Sequence, residues 1–268
     1  MNRAGQKQLI SSILLFLIVF GLWQVYYLIQ IFNPGIQVYF TDAIYFAVYL
    51  FTLALFALFV KLEKSTLSEH GFEEPANMNQ CLILSVFSII FYLAVTLFPG
   101  FMSGFSSPPF PHTFFYFVFT VMNAIIVSVA TESIFRGYIF KNTVDKQGFF
   151  PSLYVSSIMF SLYQIPVLTL ATMSSNGIIT YVFTDVLPVF AAGVFLGFFF
   201  YKTGWSLVGP IIFRIGILLY VFYPPVMATS PWWMNLTFQV TAYGCLIIIL
   251  DTIIKEPRFQ RRKYGLES

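Results

Sequence analysis

The sequence predicts an all-α fold: a polytopic transmembrane helix bundle of about eight spans with both termini cytoplasmic. Three observations carry this. Of the 268 residues, 58% are hydrophobic and 9% charged, and apolar stretches of about 20 residues recur along the chain, each long enough to cross a hydrocarbon core of about 30 Å. Runs such as Ile13 to Phe20 and Ile247 to Leu250 are apolar on every face, whereas a membrane β-barrel needs short segments of strict alternation. Thirteen of the fourteen Lys and Arg residues fall on one side of an eight-span arrangement. By the positive-inside rule that side is cytoplasmic, and one span more or fewer would break the asymmetry.

The spans are expected near 9–32, 39–60, 81–98, 113–140, 151–172, 178–201, 205–223 and 233–254. The first exceeds the apolar run of about 7–15 residues found in signal peptides and no small-residue cleavage site follows it, so it is expected to stay as a signal anchor. Arg3 and Lys7 precede it, and Lys61 and Lys64 follow the second span. The loop from Lys61 to Gln80 holds Glu63, Glu69, His70, Glu73 and Glu74 without metal-ligand spacing and is expected to be a solvated connector. Pro108, Pro109 and Pro111 stiffen the link between spans three and four, and His112 after them reads as a surface residue. The fourth span is longer than a crossing needs, so it is expected to tilt or to continue past the membrane at its Glu132 end, where Arg136, Lys141 and Lys146 lie. Lys202 follows span six. Residues 1–254 are read as one membrane domain, and 255–268 as a basic cytoplasmic tail whose Lys255, Arg258, Arg261, Arg262 and Lys263 suit anionic headgroups. Nucleic-acid binding is not needed to explain them. Cys81 and Cys245 lack any paired spacing and are read as packing residues.

Polar residues inside the spans are the candidate centre of function, because ionisable groups in a bilayer are costly and persist where a partner or cavity compensates them. Glu132 and Arg136 are spaced i, i+4 with the acid first, the favourable order for an intrahelical pair. Gln164 interrupts span five beside Pro166, Asp185 interrupts span six, and Arg214 interrupts span seven. A polar cluster that merely joins helices would explain them without chemistry. Gly193 and Gly197, four apart, are expected to let a neighbouring helix approach closely.

The segment Thr131-Glu132-Ser133-Ile134-Phe135-Arg136-Gly137 resembles the first motif, EExxxRG, of the CPBP (Abi) family of intramembrane peptidases, which includes CAAX prenyl proteases and bacteriocin-processing enzymes. Phe160-Ser161-Leu162-Tyr163-Gln164 resembles the family's FxxxH, and the run through Gly193, Gly197, Thr203-Gly204 and Ser206 to Arg214 resembles the approach to its HxxxN motif. Leu67-Ser68-Glu69-His70-Gly71-Phe72 is similar to the connector before the family's third helix, so the resemblance covers about residues 60–222. It implies a helical membrane fold and a peptidase ancestry. The departures fall on the catalytic positions: Thr131 stands where the family has its first motif Glu, Gln164 and Arg214 stand where it has histidines, and Leu218 stands where it has asparagine.

Peptide hydrolysis needs a base to take a proton from water and donors for the developing oxyanion. Thr131 and Leu218 supply no base, and a Glu132 flanked by arginines favours its charged form and is a weak one. No cofactor or metal is implied, since the spans contain no His and one carboxylate with an amide is a poor zinc site. The degenerate site expected from the resemblance is therefore Glu132, Arg136, Gln164 and Arg214, with Thr131 and Leu218 at replaced positions, around a cavity open to the cytoplasmic side. Arg214 is expected to take the place of the lost histidine structurally by pairing with Glu132 or Asp185. The expected function is a catalytically impaired or inactive homologue in the plasma membrane of a prokaryote, binding a membrane protein, a prenylated or transmembrane peptide, or lipid. An active CAAX-type endopeptidase with an altered site is the alternative. A transporter or channel is disfavoured by the lack of a duplicated half with paired Gly/Pro-interrupted segments.

Overall fold

A computed structural model describes residues 3–32, 38–103, 105–106, 114–222, 226–227 and 232–254. The expected basic tail, the proline-rich link and His112 lie outside them. Eight apolar helices account for nearly all of the described chain: α1 Arg3–Phe32, α2 Val38–Leu62, α3 Met78–Ser103, α4 Phe114–Glu132, α5 Phe149–Tyr163, α6 Leu187–Lys202, α7 Val208–Phe222 and α8 Trp232–Ile253. Helix α4 runs without a break through π-helical Ser133–Phe140 into Lys141–Gln147, as its length requires, and α6 is preceded by Ser175–Tyr181 and π-helical Val182–Val186. The sheet content is a two-residue antiparallel ladder, β1 Phe105–Ser106 with β2 Val226–Met227.

Six helices are long and apolar enough to cross a membrane, and two shorter apolar ones, Phe149–Tyr163 and Val208–Leu219, complete the set. The helices pack in a ring in the order α1, α2, α4, α7, α3, α8, α6, α5, with α5 returning to α1. Span five does not run to 172 as one helix. Pro166 has no amide hydrogen and disfavours helix at the residue before it, so α5 stops at Tyr163 and a separate turn, Val167–Thr172, follows. Gln24 of α1 mends the break: its amide nitrogen donates to the Ile165 carbonyl at 2.8 Å and its oxygen accepts from Val167 N at 3.0 Å. Freed backbone groups at membrane depth need such partners.

One end of the bundle gathers the basic ends of the helices. Gln8, Ser65 and Lys141 border a common polar recess, Leu207 N donates to the Gly71 carbonyl at 2.9 Å, and Lys202 Nζ pairs with Asp251 at 2.7 Å. This is called the near end below. Phe140, Phe149, Phe200, Tyr201, Trp205 and Leu207 pack together there and are buried.

The pairing of α5 with α6 depends on the two glycines. A Cβ at Gly193 would lie 3.0 Å from Ser157 Cβ, and one at Gly197 would clash with Leu153 Cδ1. Both positions therefore admit a helix that any larger residue would push away, as the spacing predicts.

Candidate functional site

The site is built where α4 changes pitch. At Glu132 the helix widens into the π-helical segment Ser133–Phe140, and the residues from Thr131 to Phe140 are all buried. A π turn takes one more residue per hydrogen-bonded loop and is found frequently at functional sites. Here Ser156 Oγ of α5 donates to the Phe135 carbonyl at 2.6 Å, tying the widened segment to its neighbour.

Glu132 and Arg136 both have no measurable exposure, and Arg136 Nη1 donates to Glu132 Oε1 at 3.3 Å. From α7, Arg214 Nη1 donates to the same oxygen at 3.4 Å. One carboxylate oxygen thus faces two guanidinium groups. Phe160 of α5 lies against both, 4.3 Å from the Arg136 guanidinium carbon and 4.6 Å from that of Arg214, an arrangement that favours cations over the ring face. Arg136 Nη2 completes its bonding on the Gly193 carbonyl at 3.0 Å, reachable because α5 and α6 approach so closely at that glycine. The cluster holds one negative and two positive side chains, so it carries a net charge of +1 inside the membrane span.

The other sequence-predicted residues divide. Thr131 turns its hydroxyl onto its own helix, donating to the Val127 carbonyl at 2.6 Å, so it presents no group to Glu132 through that proton. Gln164, at the carboxyl end of α5, and half-buried Leu218, one turn beyond Arg214, both border a cavity of about 230 Å³. Arg214, Phe160, Val189 and Gln239 line it too, whereas Glu132 and Arg136 do not and sit behind Arg214. Asp185 is exposed, accepts from the Thr184 hydroxyl and has no part in the cluster, because the π-helical segment before α6 carries it to the outer face.

The cavity lies away from the near end: its lining residues begin about a turn and a half along α7 from that end and reach the far end of α5, while the near end is filled by the aromatic cluster around Phe200 and Trp205.

The Lys61–Gln80 loop also differs from a solvated connector. His70 is 3% exposed and stacks on Tyr138 at 5.2 Å. Its Nδ1 lies 3.0 Å from the Gly137 carbonyl, which can only accept, so Nδ1 carries the proton and Nε2 accepts from Ser65 Oγ at 2.8 Å. A Cβ at Gly137 would stand 2.5 Å from the His70 carbonyl oxygen, which explains the glycine after Arg136. Gly71, at φ +91°, makes the turn that lets its carbonyl reach Leu207. Burial pulls the His70 imidazole below its ordinary value of 6.5, against the opposing effect of the Gly137 carbonyl. The loop is thus a clamp on the π-helical segment that continues α4. Its signal was the short 3₁₀ turn Ser68–His70 ending in a glycine, a packing device rather than a metal site. Gln24 was also missed, although an amide in the middle of the first apolar run is a signal of a buried partner. Among the described residues no group of three His, Cys, Asp or Glu side chains converges on a metal position.

Residues 113–219 match the family model described as Rce1-like, type II CAAX prenyl endopeptidase. No curated protein matches the chain.

Proposed function

We propose that the chain, a CAAX-protease-like, multi-pass integral membrane protein whose residues 113–219 match the Rce1-like family model, binds a membrane-embedded ligand without hydrolysing peptide bonds. One observation carries this reading: the single carboxylate of the site shares one oxygen between Arg136 and Arg214, at 3.3 and 3.4 Å. That oxygen is taken up by two guanidinium donors, and the residue at the replaced base position, Thr131, directs its hydroxyl into its own helix. The cavity bordered by Gln164, Arg214 and Leu218 remains as a place for a ligand. On this reading the near end faces the cytoplasm of a prokaryotic cell, in keeping with the basic residues gathered there.

An active endopeptidase with an altered site has one observation in its favour. Glu132 Oε2 has no hydrogen-bond partner among the described residues, so it is placed to take a proton. A cleavage assay on prenylated and transmembrane peptides, with purified wild type beside Glu132→Gln, separates the two. Equal background rates are expected, and wild-type cleavage that disappears in the variant would establish the peptidase.

A further inference from the structure

The ion cluster leaves a positive charge uncompensated, and that charge borders the cavity. Arg214 is 8% exposed and lines the cavity, whereas Arg136 has no exposure. Glu132 divides one oxygen between Arg136 and Arg214, and among the described residues no carboxylate lines the cavity. A guanidinium within a bilayer that shares its one counter-ion with a second guanidinium is only partly compensated. An anion in the cavity would complete the compensation and meet the planar donors of arginine, which suit carboxylate and phosphate oxygens.

The rest of the lining describes the remainder of the ligand. Beyond Arg214 the walls are Val189, Ala192, Leu196, Ile217 and Leu218, with the amides of Gln164 and Gln239 at the border. These walls are apolar and lie beside a single charged side chain, a lining that suits an apolar chain with one polar end.

We propose that this cavity binds an amphiphile made of an oxyanion headgroup on an alkyl chain, with Arg214 as the headgroup ligand. The proposal rests on the binding reading above and adds the sign of the ligand's charge. A fatty acid and an anionic phospholipid share this chemistry. A cation is repelled by Arg214, and a neutral chain leaves its charge uncompensated.

The test is the melting midpoint of the purified protein in a neutral detergent with laurate, dodecyl phosphate, dodecanol or dodecyltrimethylammonium at matched concentrations. A second arm uses phosphatidylcholine nanodiscs with and without phosphatidylglycerol. The two anionic chains should raise the midpoint by roughly 4 °C or more, and the neutral and cationic chains by less than about 1 °C. Laurate active without an effect of phosphatidylglycerol assigns the free acid, and an effect of dodecyl phosphate and phosphatidylglycerol alone assigns the phospholipid; either supports the proposal. Ala192→Phe fills the cavity while keeping every charged residue of the ion cluster and should abolish the shift, whereas Arg214→Gln should abolish it if that variant folds. Equal shifts from all four chains, no shift from any, or a shift that survives Ala192→Phe would overturn the proposal. Peptide cleavage would instead overturn the reading beneath it.

Discussion

The two guanidiniums on Glu132 sit in different surroundings. Arg136 belongs to the closed near half: it has no exposure, bonds a carboxylate and a backbone carbonyl, and lies in the segment that the His70 loop clamps through Gly137. Arg214 belongs to the far half, where it borders a cavity. The near half contains the retained parts of the peptidase-like pattern, Glu132, Arg136 and Gly137, all tied into packing. The far half contains the replaced ones, Gln164, Arg214 and Leu218, around open space.

The largest effect that would sharpen this contrast comes from removing the shared carboxylate. Glu132→Leu leaves two buried guanidiniums without a counter-ion and should cost about 3–5 kcal/mol, read as lost folded yield or a lower melting midpoint. Arg214→Leu should cost clearly less, since Glu132 keeps Arg136. Equal losses would mean that the near half does not hold the carboxylate by itself.

A smaller effect is expected at the helix contact that brings the Gly193 carbonyl to Arg136. Gly197→Leu must displace Leu153 and should cost about 1–3 kcal/mol through overpacking, with Gly193→Leu in the same range. An unchanged melting midpoint would show that α5 and α6 do not need their close approach.

The smallest effect belongs to the clamp. His70 is held neutral by burial, with its folded pKa below the ordinary 6.5, so the unfolded chain binds more protons as the pH falls past that value. Stability from this site is therefore complete above about 6.5 and declines below it until the folded-state pKa is passed. Wild type should lose melting temperature between roughly pH 7 and 5 relative to His70→Gln, and parallel profiles would argue that the clamp does not titrate.

Much of this was legible in the sequence because bilayer physics constrains it strongly. Apolar length gave eight helices, the four-residue spacing of Gly193 and Gly197 gave the α5–α6 contact, and the price of membrane-buried charge required a partner for Arg214, which the fold supplies in Glu132. What escaped depended on tertiary detail. Hydropathy does not register that Pro166 ends α5 or that Gln24, some 140 residues away, repairs the break. A π-helical turn has no compositional mark, so neither the outward position of Asp185 nor the exact relation of Glu132 to the cavity could be read from spacing. The loop around His70 looked solvated because most of its charges are exposed, while it docks through His70, Gly71, Pro75 and the Glu73 carbonyl, none of which a charge pattern reveals.

The claim at the centre of the account is that Arg214 occupies the replaced histidine position as a structural partner of Glu132. A double-mutant cycle with Glu132→Gln, Arg214→Met and the combined variant, read by reversible unfolding in detergent, addresses it directly. The account predicts a coupling of about 1–3 kcal/mol, the double variant losing less than the sum of the singles, whereas additivity within about 0.5 kcal/mol would contradict it.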